Sequence, residues 1–173
     1  MSFGDGRWAV TDSDGRFDAA NAGDVTGFRW KIGTAPLELK RLRRRFYEPG
    51  LLVKELGYNR EPLRDVRRVD TDELPPDIRL QLLPGHASRA ATLSIDLVNR
   101  GGGIGRIEVY RNGQEIIPDA RGRRLNPSLS RTTLKMALDR SWMTGGQIYP
   151  VRVVAWNSAG YLYSQSTRVA LKR

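Results

Sequence analysis

The sequence predicts a mainly β protein in which a two-sheet β-sandwich follows a small β-meander with two short α-helices. Short runs of alternating apolar residues recur along the 173 residues, and turn formers, including 18 Gly and 9 Pro, separate them. Residues 151–164, VRVVAWNSAGYLYS, are the clearest example, because the alternation stops at residues 157–160 and then resumes. In one stretch of the first third, the apolar spacing changes to that of a helix. These three observations define the fold class.

Three short strands are predicted at the start of the first domain, residues 1–57. Trp8 to Thr11 form the first, the turn formers at residues 12–15 follow, and Phe17 lies in the returning strand. Residues 28–32 alternate again and predict the third. We expect these strands to form one meander with its aromatic side chains on one face.

Two short helices are predicted after the third strand. Leu39, Leu42 and Phe46 recur at helical spacing, and Pro36 suits the first turn of that helix. A second helix is predicted over residues 51–57, after a proline that interrupts the first one.

The second domain, residues 77–173, follows a predicted linker at residues 58–76, where charges of both signs occur without apolar periodicity. Its strands are predicted near residues 78–82, 93–97, 107–111, 114–117, 133–138, 147–155 and 161–171. About seven strands in about 100 residues are typical of an immunoglobulin-like (Ig-like) β-sandwich. The hairpin at residues 151–164 also resembles the last hairpin of Ig-like and fibronectin type III domains.

The composition excludes several classes of site. The 29 Lys and Arg exceed the 19 Asp and Glu by a formal charge of +10, which attracts phosphate, anionic lipid or an acidic partner. The absence of Cys excludes disulfides, thiolate metal sites and a Cys nucleophile. Without an apolar run of roughly 20 residues or a signal peptide, we expect no membrane association and favour the cytoplasm. No cofactor or metal is expected.

The basic residues of the first predicted helix and the linker are the strongest candidate site. They are Lys40, Arg41, Arg43, Arg44, Arg45, Arg64, Arg67 and Arg68. Nucleic-acid binding requires that such side chains lie on one face, where they neutralise phosphates, beside aromatic rings on which bases can stack. The alternative is a solvated helix that packs by its apolar side and pairs its arginines with an acidic protein surface.

Other motifs favour structural roles. GGGIG at residues 101–105 is followed by a strand rather than by the helix of a phosphate loop, and residues 12–15 resemble a calcium loop only at its start. His86 lies in a predicted turn, where it could act on Ser88 only with an orienting carboxylate. Two further hypotheses rest only on the presence of suitable residue types. These are a divalent ion at Asp70, Asp72 and Glu73, and a carbohydrate at exposed Trp142, Tyr149, Trp156, Tyr161 or Tyr163.

Several motifs occur in an order that resembles a known bacterial architecture. They are Trp8, DGRF at residues 14–17, Trp30, RRFYEPGLL at 44–52, PP at 75–76, GGGIG at 101–105 and RNG at 111–113. The order resembles the region between a WD40-type β-propeller and a caspase-like peptidase domain in large multidomain proteins. The resemblance implies that this chain is the intervening segment and carries no catalytic residue of the peptidase.

Two function hypotheses follow. The first is a non-catalytic structural or protein-interaction segment that positions or regulates a neighbouring caspase-like peptidase domain. Its partners would be adjacent domains of a larger protein or another protein, and its oligomeric state stays open. The alternative is a basic nucleic-acid-binding module that uses the arginine-rich helix.

Overall fold

The computed structural model describes residues 2, 4–84, 90–122, 125–139, 147–165 and 167–172. It is mainly β, with several antiparallel sheets and two short helices. The chain divides into two compact units, Met1–Thr71 and Asp72–Arg173. The division falls inside the segment that the sequence predicts as a linker, residues 58–76.

The first unit contains two hairpins rather than the single meander that the sequence predicts. Strands β1 (Ala9–Thr11) and β2 (Phe17–Ala19) form one antiparallel pair, and β3 (Arg29–Ile32) and β4 (Ala35–Glu38) form another. The second hairpin exists because the chain turns at Gly33, where φ is +57°, and pairs β4 back on β3. β4 itself is missing from the predicted strands.

The first helix begins later than predicted, because Pro36 belongs to β4 and pairs with Lys31. Proline fits an edge strand, where its missing N–H costs no ladder hydrogen bond. Helix α1 (Leu39–Phe46) follows Glu38, whose backbone is still extended, and α2 (Leu51–Glu55) confirms the second predicted helix. Over the described residues, neither helix combines the length and the apolar composition needed to cross a membrane.

The core of the first unit forms where the hairpins meet the helices. Its most deeply buried large side chains are Phe17, Leu37, Leu42, Phe46 and Leu51, each at most 2% exposed. Leu42 and Phe46 come from the buried side of α1, as the helical spacing predicts. Phe17 also contacts Tyr47 directly after that helix, with ring centroids 5.7 Å apart.

The second unit contains two antiparallel sheets over its described residues. Its strands are β5 (Asp77–Pro84), β6 (Ala90–Val98), β7 (Ile107–Arg111), β8 (Gln114–Ile117), β9 (Arg131–Asp139), β10 (Ile148–Ala155) and β11 (Thr167–Lys172). One sheet has the order β5-β6-β9, and the other has the order β11-β10-β7-β8. The number of strands agrees with the prediction. β9 is an edge strand of nine residues that pairs with β6 alone among the described strands.

A single apolar core joins the two sheets of the second unit. Leu93, Ile95 and Leu97 of β6 belong to the same buried cluster as Val151 and Val153 of β10. The alternation of β10 is therefore confirmed. Val151 and Val153 are 0% exposed, whereas Arg152 between them is half-buried on the opposite face.

The predicted Asn-Gly hairpin joins β7 to β8. Asn112 has a φ of +49° and Gly113 a φ of +82°, and Arg111 pairs with Gln114. Positive φ at both central residues is the geometry of a type I′ turn, which suits the twist of the two strands.

The connection from β10 to β11 differs from the predicted tight hairpin. The sequence predicts a strand from residue 161, whereas β11 begins at Thr167. The amides of Tyr161 and Leu162 instead donate to the Asn157 side-chain oxygen, each at 3.2 Å. Before β11 begins, the chain still pairs with the end of β10. Trp156 and Tyr163 form an isolated bridge, and the Ser164 amide donates to the Ala155 carbonyl at 2.7 Å.

Candidate interaction surface

Helix α1 carries the centre of the predicted basic patch. Its apolar residues are buried in the first unit, so Arg43 and Arg44 on the other side are exposed. Cations in the last turn of a helix interact favourably with its dipole. Arg43 lies over the Tyr47 ring at 5.6 Å, and Arg45 lies over the Phe46 ring at 5.4 Å.

Two members of the predicted patch, in addition to the half-buried Arg45, contribute little to an exposed surface. Arg41 is 8% exposed, because its position in α1 faces the core beside Leu42. Lys40 is half-buried, and its ammonium lies 3.0 Å from the Asp24 carboxylate and 3.6 Å from that of Glu38. The structure therefore removes Arg41 from the surface and places Lys40 in an ion pair.

Arg64 holds the segment after α2 against the first unit. Its amide donates to the Glu48 carboxylate at 3.0 Å, and its guanidinium donates to the Arg44 carbonyl at 3.2 Å. Its own carbonyl accepts from the Arg16 guanidinium at 2.6 Å. Because the Arg44 carbonyl belongs to the last turn of α1, Arg64 satisfies one of the carbonyls that the helix end leaves unpaired.

Arg68 makes a similar contact farther along the chain. Its Nε atom donates to the Ser13 carbonyl at 3.0 Å. We call Arg43, Arg44, Arg64, Arg67 and Arg68, which are all exposed, the arginine surface. Arg64 and Arg68 bond to backbone carbonyls, so these contacts hold their side chains without neutralising their charge.

The buried carboxylate of Glu48 binds the backbone of Arg64 in the arginine surface. Glu48 is 5% exposed, and it accepts from the Lys54 ammonium at 2.6 Å in addition to the Arg64 amide. Burial by itself raises the pKa of Glu48, but the hydrogen bonds and charges of Lys54 and Arg64 outweigh it and hold the pKa below its usual value. Glu48 is not among the site residues predicted from the sequence, although it lies within the motif RRFYEPGLL.

The turn at residues 12–15 is held by an aspartate rather than built for an ion. One Asp12 oxygen accepts from the amides of residues 14, 15 and 16, each at 2.9 Å. The other accepts from the Arg16 guanidinium at 2.7 Å. Burial raises the pKa of Asp12, but these hydrogen-bond donors lower it by a larger amount, so the pKa lies below its usual value. The carboxylate is thus engaged within the turn, which supports the hairpin interpretation over a calcium loop.

The glycine run at residues 101–105 packs closely against other backbone. A Cβ atom on Gly102 or Gly105 would lie within 3.0 Å of the Glu73 or Asn157 carbonyl oxygen. Between them, Ile104 is fully buried. These contacts account for the glycines without a bound phosphate, in agreement with the structural interpretation of GGGIG.

One face of the four-stranded sheet carries stacked cations and aromatic rings. The Arg152 guanidinium lies 4.1 Å from the Tyr110 ring centroid, and the Tyr110 hydroxyl donates to Glu108 at 2.9 Å. Burial and this hydrogen bond raise the pKa of Tyr110 to about 12. The Arg106 guanidinium lies 5.1 Å from the Trp156 ring centroid. The centroids of the Trp156 and Tyr163 rings are also 5.1 Å apart.

Of the aromatic residues considered for carbohydrate binding, those that the structure describes do not form one exposed platform. Tyr149 and Tyr161 are each 8% exposed, and the Trp156 and Tyr163 rings contact each other at an interplanar angle of 52°. Trp142 lies outside the described residues, as do His86 and Ser88. Of the three acidic residues considered for a divalent ion, Asp70 belongs to the first unit, whereas Asp72 and Glu73 belong to the second.

No family model and no curated protein matches this chain. Among solved structures, it is similar to the Clostridium perfringens spore cortex lytic enzyme SleM, with 15% sequence identity and a TM-score of 0.38. The similarity covers 57% of this chain and 29% of that enzyme, so the chain spans less than a third of the length of the enzyme.

Proposed function

We propose that the chain is a non-catalytic interaction segment whose second unit is an Ig-like β-sandwich. The observation that carries this proposal is the strand order β5-β6-β9 and β11-β10-β7-β8 around one apolar core. Two antiparallel sheets, about seven strands and a shared core also occur in Ig-like and fibronectin type III domains, which supports this proposal. Such domains occur in many proteins as rigid modules that present loops and faces to partners.

The proposed role is to position or regulate a neighbouring caspase-like peptidase domain. The order of the sequence motifs supports this role, and the structure gives several of these motifs a structural function. Phe17 of DGRF contacts Tyr47 of RRFYEPGLL, and the Glu48 amide donates to the Phe17 carbonyl at 2.8 Å. The glycines of GGGIG fit close backbone contacts in the second unit.

The test begins with the natural reading frame on both sides of the chain. If the frame encodes a propeller and a peptidase, the peptidase domain is produced alone and joined to this segment. We expect the joined protein to differ in peptide hydrolysis or in its response to an activator. A frame without such domains contradicts the proposal, as does peptide hydrolysis by the purified segment that is lost on one substitution.

The alternative function is nucleic-acid binding through the arginine surface. The observation that favours it is the exposure of Arg43 and Arg44 beside Arg64, whose guanidinium bonds to the Arg44 carbonyl. The distribution of charge opposes it. The first unit has fourteen Lys and Arg against eleven Asp and Glu, whereas the second unit has fifteen against eight. Most of the positive excess therefore lies outside the unit that carries the arginine surface.

A salt-dependent titration with matched variants separates these functions. Binding to the arginine surface predicts that the affinity for a DNA or RNA duplex falls steeply as salt rises. It also predicts a large loss for Arg43→Glu with Arg44→Glu. The control, Arg131→Glu with Lys135→Glu, changes the net charge equally but alters exposed residues of β9. Equal losses indicate a nonspecific charge effect, and no binding at low salt excludes the alternative.

A further inference from the structure

We propose that a cavity in the first unit binds a neutral sugar ring. The cavity has a volume of about 400 Å³, which lies in the usual range for small-molecule sites. Four segments form it, namely the turn at residues 12–15, the β3–β4 hairpin, helix α1 and residues 68–71. This site is separate from the function proposed above and does not depend on it.

Aromatic rings form one wall of the cavity. A Cβ atom on Gly15 would lie 3.5 Å from Cζ2 of Trp30 and 3.6 Å from Cδ1 of Phe46, so both rings lie directly against the glycine. Phe46 is buried, whereas Trp30 is half-buried and keeps part of its ring accessible. The electron-rich face of an indole ring attracts the weakly positive C–H bonds that a sugar ring presents on one face.

The charges around the cavity balance one another. Its lining includes the acidic residues Asp12, Asp14 and Asp70 and the basic residues Lys31 and Arg68, and Arg16 pairs with two of the acids. Three negative and three positive groups give no net attraction for an ion of either sign. The site therefore selects a ligand by hydrogen bonding and shape rather than by charge.

Hydroxyl groups suit this mixture of polar partners. Carboxylates such as Asp14 and Asp70 only accept hydrogen bonds, whereas Arg68 and Lys31 only donate them. A sugar hydroxyl does both, so adjacent hydroxyls of one ring satisfy acids and bases at the same time. Asp14 is 54% exposed at its side chain, and Asp70 and Lys31, which also line the cavity, are exposed as well.

The site is held in place before a ligand binds. The Arg68 guanidinium is fixed by the Ser13 carbonyl, and the Asp12 carboxylate fixes the turn through three backbone amides. Gly33 packs against Thr71 so closely that a Cβ atom would lie 2.7 Å from Cγ2 of the threonine. A preformed site loses little conformational entropy on binding.

The test is a titration of the full chain, labelled with ¹⁵N, with D-glucose, D-galactose and N-acetyl-D-glucosamine. The four Trp residues give four indole N–H signals. At roughly 50 mM sugar, well above a Kd of about 1 mM, we expect at least one sugar to shift one indole signal with saturation. That signal must be the one missing in the Trp30→Phe variant.

Two conservative variants test the polar side of the site, and a third is the control. Asp70→Asn and Arg68→Lys should each weaken the binding about tenfold, which corresponds to about 1.4 kcal/mol. Trp156→Phe in the second unit should leave it unchanged. The proposal is overturned if no sugar shifts an indole signal, if the shifted signal is not that of Trp30, or if glycine or sulfate shifts it at lower concentration than every sugar does.

Discussion

At the scale of single residues, Gly102 shows how a glycine is required by a neighbouring backbone. Its φ is not left-handed, so the requirement is steric: a Cβ atom would overlap the carbonyls of Glu73 and Leu74. Gly102→Ala should lower the free energy of unfolding by about 2 kcal/mol, the usual cost of overpacking. Urea unfolding at pH 7 measures this loss of stability. Gly4→Ala, where a Cβ meets nothing within 4 Å, is the control, and equal stability of the two variants contradicts the prediction.

Glu48 makes the stability of the first unit dependent on pH. Its pKa is lower in the folded protein than its usual 4.5, so the folded state favours the charged form. The stabilisation is therefore complete above pH 4.5 and is lost as the pH falls through the lower, folded pKa. Glu48→Gln should cost about 1–2 kcal/mol at pH 7 and progressively less below pH 4.5.

Thermal unfolding of the natural chain and of Glu48→Gln between pH 7 and pH 3 measures the difference in stability between them. Glu55→Gln serves as the control, because Glu55 is exposed on α2 and should have no comparable effect. A constant difference between Glu48→Gln and the natural chain at all pH values contradicts the role of the charged pair.

At the scale of elements, Asn157 determines how β10 connects to β11. Its side chain is 1% exposed, accepts from two backbone amides and donates to the Glu73 carbonyl at 3.0 Å. Asn157→Ala should cost about 2–3 kcal/mol, because buried backbone groups lose their partners. Asn157→Asp should cost more at pH 7, because a carboxylate then faces the Glu73 carbonyl without a donor.

Lowering the pH should reduce the effect of Asn157→Asp, because a protonated carboxyl regains a donor. Urea unfolding at pH 7 and pH 4 measures this. Asn126→Ala is the control, since Asn126 is exposed and accepts from one amide at 2.9 Å. If Asp at position 157 is tolerated as well as Asn, the donated hydrogen bond is unimportant.

Alternation and turn chemistry predicted most of the strands, because both are local properties of the chain. The hairpin at Asn112 and Gly113 and the two faces of β10 are examples. Local patterns gave wrong predictions where a contact with another part of the chain determines the backbone conformation. Pro36 suits a helix start, but pairing with Lys31 places it in a strand. Tyr161 suits a strand, but bonding to Asn157 holds it in a loop.

The candidate sites were less predictable than the strands. The run of arginines was visible in the sequence, but the burial of Arg41 follows from the orientation of α1 in the folded unit. The cavity combines residues of four segments, such as Trp30 and Arg68, that no local pattern connects. Only folding brings them together.

At the scale of the whole molecule, each unit has its own core, and we expect each to open independently. Leu42→Ala removes a buried side chain from the first unit and should cost about 2–5 kcal/mol there. Hydrogen exchange should then accelerate in α1 and β4 but not in β6 and β10. Val153→Ala should produce the opposite distribution. Faster exchange in both units with either variant would indicate a single cooperative structure.

The long edge strand β9 has a consequence for the behaviour of the protein in concentrated solution. Among the described strands, one edge of the nine-residue β9 has no partner. Such an edge is a template for another chain, and charged side chains are a common defence against such pairing. Arg131, Lys135 and Asp139 are exposed at every fourth position of β9. Arg131→Thr with Lys135→Thr should leave the fold intact but increase light scattering with concentration. Colloidal stability would then depend on two side chains rather than on the overall charge.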